Sequence, residues 1–276
     1  MGRTIACANQ KGGVGKTTTV VNLASLLALT GDRILIIDLD PQGNATSGLG
    51  IDRSSLERST YDSIVDGIDL RTIVLRDVAD GLDVAPAAIA LAGADVELAG
   101  VAARERRLRR LLEPLIDDYD VIFIDCPPSL GLLTVNALTA ADAVLIPLQS
   151  EYYALEGLTQ LLATIDLVRD HLNPRLAIDG VVVTMADART NLSADVEAEA
   201  RAHLGATMYD TVIPRSVRLS EAPSHGKSIA AYAPDSRGGH AYAALAREFR
   251  ARGARSGSGG LVGIPVERSA DLVALS

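Results

Sequence analysis

The sequence predicts an α/β fold: a single doubly wound, mostly parallel sheet flanked by helices. Three observations predict it. The short apolar runs are continuous rather than alternating, as strands covered on both faces are. They alternate with longer segments of helical periodicity. A glycine-rich segment joins the first run to the first helix, and ligands of such sheets gather at the carboxyl ends of the strands.

In chain order, Thr4-Ile5-Ala6-Cys7-Ala8 predicts a buried strand, followed by the glycine-rich turn and a helix over Thr18–Leu29. Arg33–Ile37 is a second buried strand that runs into the acidic Asp38-Leu39-Asp40, and Leu82–Ala85 a short third one. Leu98, Val101, Leu108, Leu111, Leu112 and Leu115 lie at helical spacing, with five arginines between Arg104 and Arg110 that read as a solvated helix face. Val121–Ile124 predicts a strand ending in Asp125, and Ala143–Ile146 one ending before Pro147. Leu155, Leu158, Leu161, Leu162, Ile165 and Val168 form a helical stripe, and Ile178–Thr184 the next strand. Arg252–Gly260 has the composition of a linker, and Leu261–Ser276 reads as a tail.

Composition narrows the class. With 276 residues, 48% hydrophobic and 22% charged, the chain is neither disordered as a whole nor collagen-like. Its two cysteines, Cys7 and Cys126, exclude a disulfide framework and a four-cysteine zinc site within one chain. There is no run of about 18 apolar residues and no signal-peptide plan at the start, so a cytoplasmic protein is expected. The net charge is −9, which at face value speaks against nucleic acid. Only three basic residues are lysines, Lys11, Lys16 and Lys227, and two of them lie close together near the start.

Those two belong to Lys11-Gly12-Gly13-Val14-Gly15-Lys16-Thr17-Thr18, the segment between first strand and first helix. Glycines let a backbone wrap so that its N–H groups point at phosphate oxygens, and the helix N-terminus adds its dipole. In that setting Lys16 reaches the β- and γ-phosphates and the Thr17 hydroxyl ligates Mg²⁺. The ordinary phosphate-loop pattern has glycine where this chain has Gln10; what it has in addition is Lys11. In this the loop resembles the deviant Walker A motif of the MinD/ParA class of P-loop ATPases. The resemblance implies that Lys11 crosses a dimer interface to the partner's nucleotide, with ATP sandwiched in a homodimer, and that residues 1–252 form one ATPase domain followed by a linker and tail at 253–276.

The carboxylates fit the same site. Asp125 ends a buried strand before Cys126-Pro127-Pro128-Ser129, where a Walker B aspartate stands near Mg²⁺. Asp38 and Asp40 lie two apart, a spacing that aims both the same way if the strand persists; strand-end capping or a turn before Pro41 is the alternative. By the resemblance, Asp40 orients the attacking water. Lys11, Lys16, Thr17, Asp40 and Asp125 together supply the placement and charge neutralisation that phosphoryl transfer requires.

Longer segments sharpen the resemblance. Gln42–Thr46, Glu151–Leu158 and Val217–Lys227 are similar to the chromosomal ParA/Soj partitioning ATPases, and the likeness runs from about residue 3 to 250. Ser150 and Ser216 depart from the cysteine and asparagine frequent there. The resemblance implies that Pro214 and Ser216 border the adenine, that the ATP dimer binds double-stranded DNA non-specifically through Arg189 and Arg218 at the nucleoid, and that a ParB-type centromere-binding protein stimulates slow hydrolysis. It also implies no N-terminal DNA-binding extension of the kind larger plasmid ParA proteins carry. Taken singly, each arginine reads at least as well as an ordinary surface residue or ion-pair partner as it does as a DNA contact. The charge distribution favours the DNA role: residues 1–179 carry 15 basic and 25 acidic side chains, residues 201–255 nine and four. With aromatics at 3% and no Trp, duplex backbone binding is expected rather than base stacking.

Rival readings make different demands. A MinD-like regulator at a membrane needs a basic amphipathic C-terminal helix, whereas Gly260–Ser269 holds one basic residue, a proline and two glycines. An electron-transfer ATPase with a cluster bridging its dimer needs exposed cysteines; Cys7 lies in a strand and Cys126 beside the Mg²⁺ position. A cargo-positioning relative that acts on something other than DNA shares every motif above.

Overall fold

The computed structural model describes residues 2–151, 154–187 and 191–257. Eight strands form one sheet: β1 (Arg3–Cys7), β2 (Ile34–Asp38), β3 (Leu75–Ala79), β4 (Leu82–Ala85), β5 (Val121–Asp125), β6 (Ala143–Gln149), β7 (Ala177–Ala186) and β8 (Met208–Pro214). Their order is β3-β4-β2-β5-β1-β6-β7-β8, and every pairing is parallel except β3 with β4. Parallel neighbours require crossovers, and the helices that supply them cover both faces.

The continuous apolar runs are explained by the two cores they divide between. Ile5 and Cys7 of β1, Ile34 and Ile36 of β2, and Phe123 of β5 face one core, with α1 (Lys16–Ala28) packed there. Ala6, Leu35, Ile37, Ile122 and Ile124, the alternate residues, face the other. Period two therefore persists, but both phases are apolar because both faces are covered.

The remaining α-helices among the described residues are α2 (Asn44–Gly48), α3 (Ala94–Glu97), α4 (Arg107–Leu112), α5 (Leu132–Ala140), α6 (Ala154–His171), α7 (Asn191–Leu204), α8 (Val217–Glu221), α9 (Ile229–Tyr232) and α10 (Arg237–Gly257). The last packs Tyr242, Leu245 and Phe249 into the core beside α1, with the Phe249 ring 5.6 Å from that of Phe123.

Three expectations are corrected. The helical spacing from Leu98 to Leu115 is not one helix but α3 and α4, parted by Gly100 and by Ala103 in the left-handed region. Leu98, Leu108, Leu112 and Leu115 still reach the core, so the periodicity reported burial rather than a continuous helix. The arginines there are partly engaged: Arg104 donates to the Ala99 carbonyl (2.7 Å) and Arg107 to that of Val65 (3.0 Å). Next, β2 stops at Asp38, so Asp38 and Asp40 do not share a strand. Finally α10 continues through Gly257, which places the 252/253 boundary inside a helix; residues 258–276 lie outside the described residues.

Candidate active site

The strand order reverses around β1, and the loop that leaves β1 stands at that switch point, where open α/β sheets bind ligands. Gly13 (φ 76°) and Gly15 (φ 86°) hold left-handed conformations that other residues enter only under strain, and this turns the loop into the first turn of α1. No side chain caps the start of α1 and no acidic residue lies in its first turn. Its free N–H groups and positive dipole end thus face a cavity of about 440 Å³.

The loop is tied to two different strands, one at its start and one at its middle. Asn9 donates to the Pro147 carbonyl of β6 (2.7 Å) and accepts from the Lys11 N–H (3.0 Å), which fixes where the loop begins. The Val14 carbonyl accepts from the Thr184 hydroxyl of β7 (2.8 Å), and Val14 is buried and does not line the cavity. Lys16 is buried, and its Nζ donates to the Lys11 carbonyl across the loop (3.2 Å). Gly12, Gly13, Gly15, Lys16, Thr17 and Thr18 line the cavity.

Behind the loop, the Thr17 hydroxyl donates to Asp125 Oδ2 at 2.7 Å. The other oxygen, Asp125 Oδ1, is buried without any hydrogen-bond partner. A buried, orphaned carboxylate oxygen beside a threonine hydroxyl fits a divalent cation or its bound water. Among the described residues no group of three or more His, Cys, Asp or Glu forms a metal cage, so such a cation would depend on oxygens of a bound phosphate as well.

Asp125 and Asp38 are register partners on β5 and β2, both fully buried. Burial, and then the charge of Asp38, push the Asp125 carboxyl well above the usual carboxylate range. Burial also raises Asp38, to about 6, against the lowering effect of its hydrogen bonds. Those bonds give Asp38 a structural task. Oδ2 accepts from the Thr46 N–H (2.9 Å) and hydroxyl (2.7 Å), and Oδ1 from the Asp40 N–H (3.1 Å). Asp40, freed from the strand, lines the cavity, with Oδ1 accepting from the Gln42 N–H (2.9 Å) and its carbonyl from the Gly43 N–H (2.8 Å). The strand does not persist and the alternative, a turn at Pro41, forms instead, so the pair divides into an anchor, Asp38, and a carboxylate facing the cavity, Asp40.

Other expected residues stand elsewhere. The Lys11 ammonium does not line the cavity; it pairs with Glu151 of its own chain, whose other oxygen accepts from Gln149. Pro214 ends β8 and Ser216 precedes α8, and neither lines the cavity. The wall on that side is made by Met185, at the end of β7 with a φ of 53°, and by Ala222, Pro223 and Lys227. These four escaped the sequence reading, although Lys227 is one of only three lysines and lies in a segment already singled out.

Arg189 lies outside the described residues. Arg218 is 58% exposed on α8 and bonds Glu221 (2.9 Å), which also accepts from the Tyr232 hydroxyl (3.2 Å). Much of the basic excess of this region is taken up in ion pairs: Arg201 with Glu197, Arg250 with Asp32, Arg252 with Glu248. Among the described residues Arg215, Arg237, Arg247 and Lys227 are exposed cations whose charged ends have no such partner.

Comparison with known proteins agrees with this architecture. Residues 2–178 match a family model described as AAA domain. The chain is 58% identical over 253 residues to the sporulation initiation inhibitor protein Soj of Bacillus subtilis, spanning 92% of this chain and all of that protein. It is 52% identical to the chromosome partitioning protein ParA of Caulobacter vibrioides, over 91% of this chain and 94% of that one. Among solved structures, a Mycobacterium smegmatis protein described as cobyrinic acid a,c-diamide synthase with bound ATP analog and magnesium superposes with a TM-score of 0.81. It shares 38% identity, over 93% of this chain and 97% of that one.

Proposed function

The chain belongs to the Soj/ParA family of chromosome-partitioning ATPases in the MinD/ParA class, and from that premise we propose that it is an ATP-driven dimeric switch that binds DNA non-specifically in its ATP state. The observation that carries the nucleotide reading is the pairing of an uncapped helix N-terminus with the Thr17–Asp125 hydrogen bond and the orphaned Asp125 Oδ1. A bound ATP would lay its phosphates along the N–H groups of Gly12–Thr18, with Lys16 moving from the Lys11 carbonyl to a phosphate oxygen. Thr17, and Asp125 through water, would hold Mg²⁺, which when bound offsets charge on the phosphate oxygens. Asp40 faces the cavity from a loop braced by Asp38 and positions the attacking water by accepting its hydrogen bond. Pro214 and Ser216, in the turn between β8 and α8, would border the adenine.

In the dimer, Lys11 leaves Glu151 and reaches the nucleotide of the other subunit. The exposed pair costs little to break, since ion pairs in solvent contribute little. Closing the dimer brings two C-terminal basic segments together, with Arg218 and Arg189 contributing to a duplex-binding surface at the nucleoid. A ParB-type centromere-binding protein stimulates the otherwise slow hydrolysis that reopens it. Among the described residues no helix is long and apolar enough to cross a membrane.

A DNA-binding titration with ADP, ATP and a non-hydrolysable analogue, repeated across salt concentrations, tests the switch. A steep salt slope seen only with the triphosphates supports it. Binding to anionic liposomes in place of DNA would instead favour the MinD-like reading.

A further inference from the structure

The ammonium groups of the three lysines of this chain are not equivalent. That of Lys11 is held by Glu151, and that of Lys16 donates to a backbone carbonyl. Lys227, which follows α8 in the chain, lines the cavity that Lys16 also lines, is exposed, and among the described residues has no hydrogen-bond or ion-pair partner for its side chain.

Its backbone is firmly placed. The Lys227 N–H donates to the Ala222 carbonyl (3.2 Å), and two residues on, the Ile229 N–H donates to Asn22 Oδ1 of α1 (2.6 Å). Gly226 (φ 62°) lies against Gly50 (φ 82°), the residue just beyond the segment that carries Asp40 and α2. A Cβ on Gly226 would come within 2.7 Å of the Gly50 Cα, so the two backbones touch where no side chain fits. The segment from Ala222 to Lys227 is therefore fixed to α1 on one side and to the end of the Asp40 loop on the other. A lysine carried there at the edge of a cavity, its ammonium paired with no carboxylate among the described residues, is suited to an anion that enters from solution.

We propose that Lys227 is a third cation of the nucleotide site, binding the phosphates of the nucleotide from the segment after α8 that lines the cavity with the loop. This rests on the ATP reading above. It assigns to Lys227 a share of nucleotide affinity and leaves water activation to Asp40. The contact is partly exposed, so its worth is at the low end for a charge-assisted hydrogen bond, about tenfold in affinity.

The test is equilibrium titration of the full chain with ATP and Mg²⁺, in wild type, Lys227→Ala and Lys227→Arg, at low and high salt. Lys227→Ala should bind ATP about tenfold more weakly at low salt, with the gap narrowing as salt rises, and Lys227→Arg should stay near wild type. Melting of the nucleotide-free proteins should be unchanged, because the side chain is exposed and unpaired. ATP affinity in Lys227→Ala within about twofold of wild type overturns the proposal. So does an equal loss in both variants, which would mean that charge is not what was removed. Unchanged ATP affinity with weakened DNA binding overturns it in favour of a DNA-phosphate contact. Failure of wild type to bind ATP would defeat the ATP reading itself, an outcome distinct from all of these.

Discussion

Asp38 and Asp125 stand side by side at the carboxyl ends of adjacent parallel strands, and neither side chain reaches solvent. Two buried carboxylates this close cannot both ionise at ordinary cost, so the pair retains a proton at pH values where an unfolded chain has released it. The arrangement is unfavourable to the empty protein and suits one that binds a cation.

A pH dependence follows. Asp38 titrates near 6 in the folded protein and near its ordinary value, 3.8, when unfolded, so between those values the folded state binds more protons. Stability from this pair is greatest below the unfolded value and is lost as pH rises towards and past 6. Without nucleotide or Mg²⁺, Asp125→Asn should outlast wild type at pH 7.5 by about 1–3 kcal/mol, and its decline between pH 4.5 and 7 should be shallower. Denaturant titrations of both proteins across that range check this; parallel curves would contradict it.

Hydrolysis and binding should separate cleanly at two other positions. Lys16→Ala removes the cation buried under the loop and should abolish ATP binding. Asp40→Ala should bind ATP, accumulate as the dimer and lose hydrolysis by about 10²-fold or more. Size-exclusion chromatography with ATP, beside phosphate release, distinguishes the two. Normal turnover in Asp40→Ala would remove it from the reaction.

Thr46 is the tie between Asp38 and its surroundings. It is fully buried, donates to Asp38 through both N–H and hydroxyl, and accepts from the Ala87 N–H at 3.0 Å. Thr46→Val keeps the shape but deprives the Asp38 carboxylate and the Ala87 N–H of a partner, and should cost about 2–3 kcal/mol. Because the same carboxylate accepts from the Asp40 N–H, turnover should fall more than ATP affinity. Thr46→Ser, which restores the hydroxyl, should recover both; no recovery would show that packing rather than the hydroxyl matters.

Arg218 offers a test of the DNA surface. Arg218→Ala should weaken ATP-dependent duplex binding at every sequence alike and lower the steepness of the salt dependence, leaving ATP affinity and melting unchanged. Its pairing with Glu221 is solvent-exposed, so little folding stability depends on it. Filter binding at several salt concentrations decides, and undiminished DNA affinity would count against Arg218.

The sequence by itself determined the parallel sheet, the phosphate loop and the strand-end aspartates, because each depends on local pattern. Continuous apolar runs mark strands buried on both faces, and Gly13 and Gly15 permit backbone angles that the loop needs. It did not reveal the edge strands β3 and β8, which mix charged and polar residues such as Asp77, Asp210 and Thr211 with apolar ones, nor the break between α3 and α4, where helical spacing survived without a helix. Tertiary structure alone decided the division of labour between Asp38 and Asp40, because that depends on where β2 stops and on Thr46, eight residues on. It alone brought Met185 and Lys227 to the cavity that Lys16 also lines, since side chains distant along the chain become neighbours only when the sheet and its crossovers are complete. The net charge of −9 changed meaning in the same way: which arginines are paired and which stand free in solvent is a property of the fold.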